Sequence, residues 1–81
     1  MTLDDFHELM RFHVMMSDYD LSGYTYAAVD EDKHLFIYKA KPELNEGTDW
    51  LTDEDELSDY MCICKLHDFP KESIENWIIE L

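Results

Sequence analysis

The sequence predicts a single small α+β domain over residues 1–81, with element order α-β-β-β-α and two helices packed on one face of a three-stranded antiparallel sheet. The chain has 81 residues, enough for one hydrophobic core and too few for two. Hydrophobic residues make up 46% of it, which is more than a disordered chain contains. Apolar residues repeat with helical spacing near both ends, and short runs of β-forming residues lie between them.

The first helix is predicted to begin at Thr2 and to end at about Met16. The Thr2 hydroxyl can cap the helix, and the helix dipole favours the carboxylates of Asp4 and Asp5 in the first turn. The apolar stripe of this helix recurs every three or four positions and consists of Leu3, Phe6, Leu9, Met10, His13 and Val14. The polar residues 17–23 are predicted to form a loop.

Three strands are predicted in the middle of the chain. Residues 24–29 and 34–40 are rich in β-forming side chains, and the four polar residues between them fit the connection of a β-hairpin. Pro42 is expected to end the second strand, so residues 43–49 are predicted to be a loop. Thr52 can cap a short helical turn, after which residues 60–66 form the third strand.

A second helix is predicted from Pro70 to Leu81. Pro70 suits the first turn of a helix, where its missing N–H is not needed. Ile74, Trp77, Ile78 and Leu81 then follow at i, i+3, i+4 and i+7, which is the spacing of an amphipathic helix. The same spacing assigns Trp77 to the predicted core.

The charge excludes two classes of partner. The formal net charge is −14, from 20 acidic residues against 6 Lys and Arg. Such a chain lacks the basic face needed to bind nucleic-acid phosphates or an anionic membrane surface. The charge is also uneven, because no Lys or Arg occurs from residue 42 to residue 64. The acidic residues of that segment are Glu43, Glu46, Asp49, Asp53, Glu54, Asp55, Glu56 and Asp59.

Two interpretations of this charge compete. The carboxylates can form a solvated surface that serves solubility alone, or a binding surface for a strongly basic partner. Carboxylates on one face of a strand repeat every ~6.6 Å, and those four residues apart on a helix lie about 5–6 Å apart. Successive phosphates of a nucleic-acid strand lie on a similar scale, which favours the second interpretation. A secondary set of candidate carboxylates is Asp30, Glu31 and Asp32, in the predicted hairpin turn.

Protein interfaces typically place an aromatic anchor inside a charged rim. Trp50 is the first candidate for such an anchor, because it lies between Asp49 and Asp53. Alternatively, Trp50 and Leu51 close the edge of the sheet. Tyr19, between two aspartates in the loop after the first helix, is the second candidate.

With its DEDE run at 53–56, its DED run at 30–32, and Trp50 and Tyr60 beside acidic residues, the chain resembles a known class of small proteins. These are the acidic inhibitors of phages and mobile elements, including DNA-mimic anti-restriction and anti-CRISPR proteins. Nuclease immunity proteins of the barstar and colicin-immunity types are similar in the same way. The resemblance implies a basic target protein, such as a nuclease or a nucleic-acid-guided defence complex, and no catalytic residue. For a phage-encoded protein, the location would be the host cytoplasm.

Two segments suggest metal sites as alternatives. Asp18, Asp20 and Ser22 match the first oxygen ligands of an EF-hand loop and a glycine follows them, but Val29 occupies the position of the bidentate glutamate. A capped turn explains the same segment. A calcium-binding or scaffolding domain therefore stays open as a second function. Cys62, Cys64 and His67 could ligate zinc only if a histidine of the first helix completed the site.

No motif of a phosphate-binding loop, a serine hydrolase or a zinc protease occurs, so neither enzymatic activity nor a cofactor is predicted. Cys62 and Cys64 would lie on one face of a regular strand about 7 Å apart, at or beyond the reach of an unstrained disulfide. Reduced thiols and an acidic segment after Met1, where a secretory leader would be positively charged, together predict a cytoplasmic protein.

Overall fold

The computed structural model of the chain describes residues 1–52 and 60–81. Within them lie one α-helix, six strands and a short 3-10 helix: α1 (Leu3–Met16), β1 (Tyr26–Val29), β2 (His34–Tyr38), β3 (Glu43–Asn45), β4 (Asp49–Leu51), β5 (Tyr60–Lys65), the 3-10 helix (Ile74–Asn76) and β6 (Ile78–Glu80). A four-stranded antiparallel sheet has the order β5-β2-β1-β6, and β3 and β4 form a separate two-stranded sheet.

The predicted first helix is confirmed, with its cap. The Thr2 Oγ1 atom accepts a hydrogen bond from the Asp5 N–H at 3.1 Å, which satisfies one of the unpaired amides of the first turn. Phe6, Met10 and Val14 are the buried residues of the predicted stripe. They pack with residues of β1, β2 and β6, so α1 covers one face of the four-stranded sheet.

The predicted hairpin of β1 and β2 is confirmed as well. Its register pairs Tyr26 with Tyr38 and Val29 with Leu35. Lys33 takes the left-handed conformation, with φ 73°, so the turn forms although the sequence has no glycine there. Along β2, Leu35 belongs to the helix-side core, whereas Phe36 packs in the cluster on the other side of the sheet.

The predicted C-terminal helix is wrong. The segment forms a single 3-10 turn and then β6, which pairs with β1 and so covers the edge that β1 would otherwise expose. Ile79 is the buried residue of β6 and packs against the α1 side, while Ile78 packs on the opposite side. This alternation has a period of two, whereas the helical spacing would have buried Leu81, which is 43% exposed.

The predicted loop over residues 43–49 is also wrong, because β3 and β4 form a hairpin there. Glu46 and Gly47 have positive φ, which allows the tight turn between the strands. Trp50 of this hairpin packs with Ala28 and Tyr38, on the sheet face opposite α1. The sheet is therefore covered by one helix on one face and by a β-hairpin on the other, not by two helices on one face. The helical turn predicted after Thr52 lies outside the described residues.

The strand predicted over residues 60–66 is confirmed as β5, but it is irregular. The register pairs Leu35 with Cys64 and Phe36 with Cys62, so β5 has an extra residue at a β-bulge. The bulge places the two cysteines beside residues of opposite sheet faces, whereas a regular strand would have placed them on one. Both thiols are free. No helix within residues 1–52 or 60–81 is both long and apolar enough to cross a lipid bilayer.

Candidate functional site

Two acidic segments that are separate in the sequence are joined by hydrogen bonds. The backbone N–H of Glu31 donates to the Thr48 carbonyl oxygen at 2.9 Å. The backbone N–H of Trp50 donates to Oδ1 of Asp30 at 3.0 Å. The turn between β1 and β2 is thereby fixed against the β3–β4 hairpin. We call Asp30, Glu31, Asp32 and Asp49 the acidic cluster.

The residues proposed from the sequence are distributed unevenly around this cluster. Glu43, Glu46 and Asp49 are exposed on the β3–β4 hairpin. Tyr19 is 49% exposed in the loop after α1, and no described contact joins it to the cluster. The other proposed carboxylates lie outside the described residues: Asp53, Glu54, Asp55, Glu56 and Asp59.

Trp50 has a structural role at the base of the hairpin. It is only 7% exposed, so its indole is not a free surface anchor. Its Nε1–H donates to the Val29 carbonyl oxygen at 3.0 Å, and its own carbonyl accepts the Tyr38 hydroxyl at 3.1 Å. These bonds hold the hairpin on the face of the sheet. Trp50 thus packs in the interior. The sequence had offered the alternative that Trp50 closes the edge of the sheet; in the structure it covers a face of the sheet instead.

A cavity of about 290 Å³ lies beside the acidic cluster, between the hairpin and the sheet. Two carboxylates and four aromatic rings line it: Asp30, Asp49, Phe36, Tyr38, Trp50 and Tyr60. Carboxylates at an aromatic wall are suited to binding a cation, because both the charge and the ring quadrupoles attract it.

Three of these rings form a compact aromatic group. The ring centroids of Phe36 and Tyr60 are 6.0 Å apart with an edge-on geometry, and those of Tyr38 and Tyr60 are 6.2 Å apart. The centroids of Phe36 and Tyr38 are 6.4 Å apart. Tyr60 is 41% exposed, so this group is accessible from solvent at its β5 side.

Asp30 is the one charged residue of the site that is largely buried, with 9% of the residue exposed. Burial raises the pKa of Asp30 to about 6; the hydrogen bond from Trp50 opposes the rise, and the negative charges of Asp32 and Asp49 add to it. Within the described chain, no group donates to its second oxygen, Oδ2. Burial, followed by the charge of Asp30, also raises the pKa of Tyr38.

No lysine or arginine of the described residues pairs with the cluster. The only base in contact with it there is the His34 imidazole, which lies 3.2 Å from Asp32 and carries a positive charge only when protonated. The ammonium of Lys33, although adjacent in sequence to the cluster, lies 5.1 Å from the centre of the Phe69 ring. That of Lys39 lies 5.5 Å from the Tyr24 ring centre. Apart from His34, no base within residues 1–52 and 60–81 pairs with a carboxylate of the cluster.

Two lining residues, Phe36 and Tyr38, were not proposed from the sequence, which assigned them only to a strand. The signal that could have found them is the alternation of β2, in which His34, Phe36 and Tyr38 alternate with the aliphatic Leu35 and Ile37. An aromatic face opposite an aliphatic one indicates a strand whose two faces contact different environments.

The proposed calcium loop forms a local turn, in which the Ser22 N–H donates to Oδ1 of Asp20 at 3.0 Å. Gly23 has φ 85°, a conformation that glycine adopts readily. Within residues 1–52 and 60–81, no three His, Cys, Asp or Glu side chains come together in a group that could hold a metal ion. The described residues include Asp18 and His67, which were suggested from the sequence as metal ligands.

No protein-family model matches the chain, and comparisons with curated proteins and with solved structures gave no significant match. Function therefore has to be inferred from the geometry and charge of the site.

Proposed function

We propose that this protein is a non-enzymatic inhibitor that binds a basic surface of a target protein by imitating the charge of a nucleic acid. The observation that carries the proposal is the fixed junction of the acidic turn with the β3–β4 hairpin, without Lys or Arg partners among the described residues. Carboxylates brought together in this way repel one another and destabilise the folded state. A role in binding would explain why the carboxylates are held together, since a cationic partner removes their repulsion.

The mechanism is competition without turnover. A target that binds nucleic acid presents Arg and Lys side chains at the spacing of phosphates. Carboxylates held on a hydrogen-bonded hairpin can occupy those side chains without the loss of entropy that an unstructured acidic segment would suffer on binding. Opposite charges also accelerate association, and salt screens the attraction.

The target class follows from the same chemistry. It is a protein with a strongly basic nucleic-acid site, such as a nuclease, a restriction enzyme or a nucleic-acid-guided defence complex, as for the acidic phage inhibitors and nuclease immunity proteins that the sequence resembles. The site of action is then the cytoplasm in which that target works. The acidic run at 53–56 lies two residues after β4 in the sequence and adds four carboxylates to the proposed binding set.

The experiment is capture of the target from a lysate of the native host on the immobilised protein, with washes of rising salt and, separately, with a duplex DNA competitor. We expect a basic protein that is released by salt and displaced by DNA. The test variant neutralises Asp53, Glu54, Asp55 and Glu56 to their amides together. Loss of four charges from the interface is expected to weaken binding by orders of magnitude.

A control variant removes three charges from α1, on the other sheet face, through Asp4→Asn, Asp5→Asn and Glu8→Gln. This variant should retain the target at nearly the original salt concentration. A target that resists salt and DNA, or that is retained equally by the test variant at low salt, would contradict the proposal.

A further inference from the structure

We propose that the cavity beside the acidic cluster receives one arginine side chain of the basic target, with its guanidinium between the carboxylates of Asp30 and Asp49 and the aromatic rings of Phe36 and Tyr60. The inference rests on the proposed function, because it assigns one specific contact within that interface. It adds a site for a particular side chain to a surface that would otherwise recognise charge alone.

The size of the cavity suits a side chain. Its volume of about 290 Å³ lies just below the range of pockets that enclose drug-sized ligands, roughly 300–1,000 Å³. A flexible side chain reaching in from a partner needs only a short opening beside the hairpin. Tyr60, at 41% exposure, lies at the accessible side of the cavity.

The lining has the two features that a guanidinium uses. Arginine stacks on aromatic faces, and a cation within about 6 Å of a ring centre gains from the ring quadrupole. The same group donates hydrogen bonds to carboxylate oxygens in its own plane. Asp30 and Asp49 supply such oxygens in the same cavity as the rings of Phe36 and Tyr60.

Asp30 is the observation that points to a ligand. Nine-tenths of this residue is removed from water, yet only one of its two oxygens accepts a hydrogen bond from a described residue. A buried carboxylate with a free oxygen is costly unless it is paired. Within residues 1–52 and 60–81 no lysine or arginine pairs with this carboxylate, so a cationic group from a partner would find it unpaired.

Arginine fits the cavity better than lysine. The guanidinium is more weakly hydrated than an ammonium, so it loses less on entering an aromatic wall. Its planar fork can bond one carboxylate while its face remains against a ring, whereas an ammonium acts as a point charge.

The test is an NMR titration of the intact, isotope-labelled protein with N-acetyl-arginine-methylamide. The capped lysine and the capped citrulline, which is nearly isosteric with arginine but neutral, serve as comparison ligands. We expect capped arginine to bind with millimolar affinity and to shift the backbone amides of Trp50, Leu51 and Tyr60. Capped lysine should bind several-fold more weakly, and citrulline should leave these resonances unchanged.

Two variants locate the binding. Asp30→Asn should weaken capped-arginine binding about tenfold, the usual result of losing a charge-assisted hydrogen bond. Tyr60→Leu should weaken it several-fold by removing one ring. Asp5→Asn, which removes an equal charge in the first turn of α1, should change the affinity less than twofold. The unshifted indole Nε1 resonance of Trp50 in each free variant would show that the hairpin is still seated.

Unmoved resonances at tens of millimolar capped arginine would overturn the inference, as would equal binding of lysine or citrulline. Equal loss in Asp30→Asn and Asp5→Asn would overturn it too, because it would assign binding to net charge. None of these results affects salt-sensitive capture of a basic target, which tests the proposed function separately. Conversely, the cavity could bind arginine while no captured target is displaced by DNA. That result would contradict the proposed nucleic-acid mimicry and leave the arginine site intact.

Discussion

Oδ1 of Asp30 accepts a hydrogen bond from the backbone N–H of Trp50 at 3.0 Å, across 20 residues of sequence. This bond fixes the hairpin against the turn of the main sheet. It also holds a carboxylate in a largely buried position beside a cavity. The Asp30 side chain therefore affects both the stability of the fold and the binding chemistry of the cavity, and each effect can be measured.

The first prediction concerns pH. The folded-state pKa of Asp30, about 6, lies above its ordinary value of 3.8, so folding favours the protonated form. The folded state therefore binds more protons between about pH 4 and pH 6, and this group lowers the free energy of unfolding as pH rises through that window. Asp30→Asn keeps an oxygen for the Trp50 amide and removes the charge.

We expect Asp30→Asn to be more stable than the parent at pH 7, by about 1–2 kcal/mol, and to show no such gain near pH 4. Urea unfolding at both pH values measures the difference. Glu8→Gln, at an exposed position beyond the first turn of α1, corrects for the general relief of negative charge. An Asp30→Asn variant that is less stable at pH 7 would show that the carboxylate is not strained by burial.

The second prediction concerns the bond between Tyr38 and the hairpin. The Tyr38 hydroxyl is the donor to the Trp50 carbonyl, and the residue is 2% exposed. Tyr38→Phe should lower the free energy of unfolding by about 1–2 kcal/mol, because a buried carbonyl loses its partner. Tyr19→Phe, at an exposed position, is the control and should be neutral. Equal unfolding midpoints in urea for all three proteins would contradict the described hairpin contact.

The third prediction tests the C-terminal strand. Ile79 is 5% exposed on β6, whereas Leu81 is 43% exposed. Ile79→Ala should cost about 2–4 kcal/mol through loss of buried contacts, and Leu81→Ala less than about 1 kcal/mol. A helix with the stripe predicted from the sequence would reverse this order. Thermal unfolding of the two variants decides between the two arrangements.

The fourth prediction concerns salt. The like-charged carboxylates of the acidic cluster repel one another, and screening shortens the range of that repulsion. Raising NaCl from low to moderate concentration should therefore increase the melting temperature of the free protein by several degrees. The variant Glu31→Gln, Asp32→Asn, Asp49→Asn should show a smaller increase. A melting temperature that falls with salt would indicate that attractive pairs dominate the surface.

The elements that could be predicted from the sequence are those whose signal is local. Thr2 and the stripe through Phe6, Met10 and Val14 specify α1 without reference to the rest of the fold. The β1–β2 hairpin is likewise defined by its two β-forming runs and its short polar connection. Both segments form the predicted structure because local propensity and burial agree.

The C-terminal segment could not be predicted from its spacing, because short apolar runs fit both periods. Ile78 and Ile79 are adjacent β-branched residues, which favour a strand, and the open edge of β1 supplies the pairing that a 12-residue helix would not have used. The deciding contact is long-range, and nothing near Ile79 in the sequence shows it.

The sequence predicted which acidic residues belong to the candidate site, but it did not predict the contacts that bring them together. The acidic runs at 30–32 and 43–49 are visible in the sequence, but their junction depends on the bond between Asp30 and Trp50. The aromatic wall depends on the register of β2 and β5, which places Tyr60 opposite Tyr38. Register between strands distant in sequence is a tertiary property.

The most direct test of the central claim is the salt dependence of the affinity between this protein and its captured target. If the acidic cluster binds basic side chains, log Kd should rise steeply with log salt concentration. The slope should be shallower for the Glu31→Gln, Asp32→Asn, Asp49→Asn variant than for the Asp4→Asn, Asp5→Asn, Glu8→Gln control. An affinity indifferent to salt, or equal slopes for the two variants, would contradict the claim.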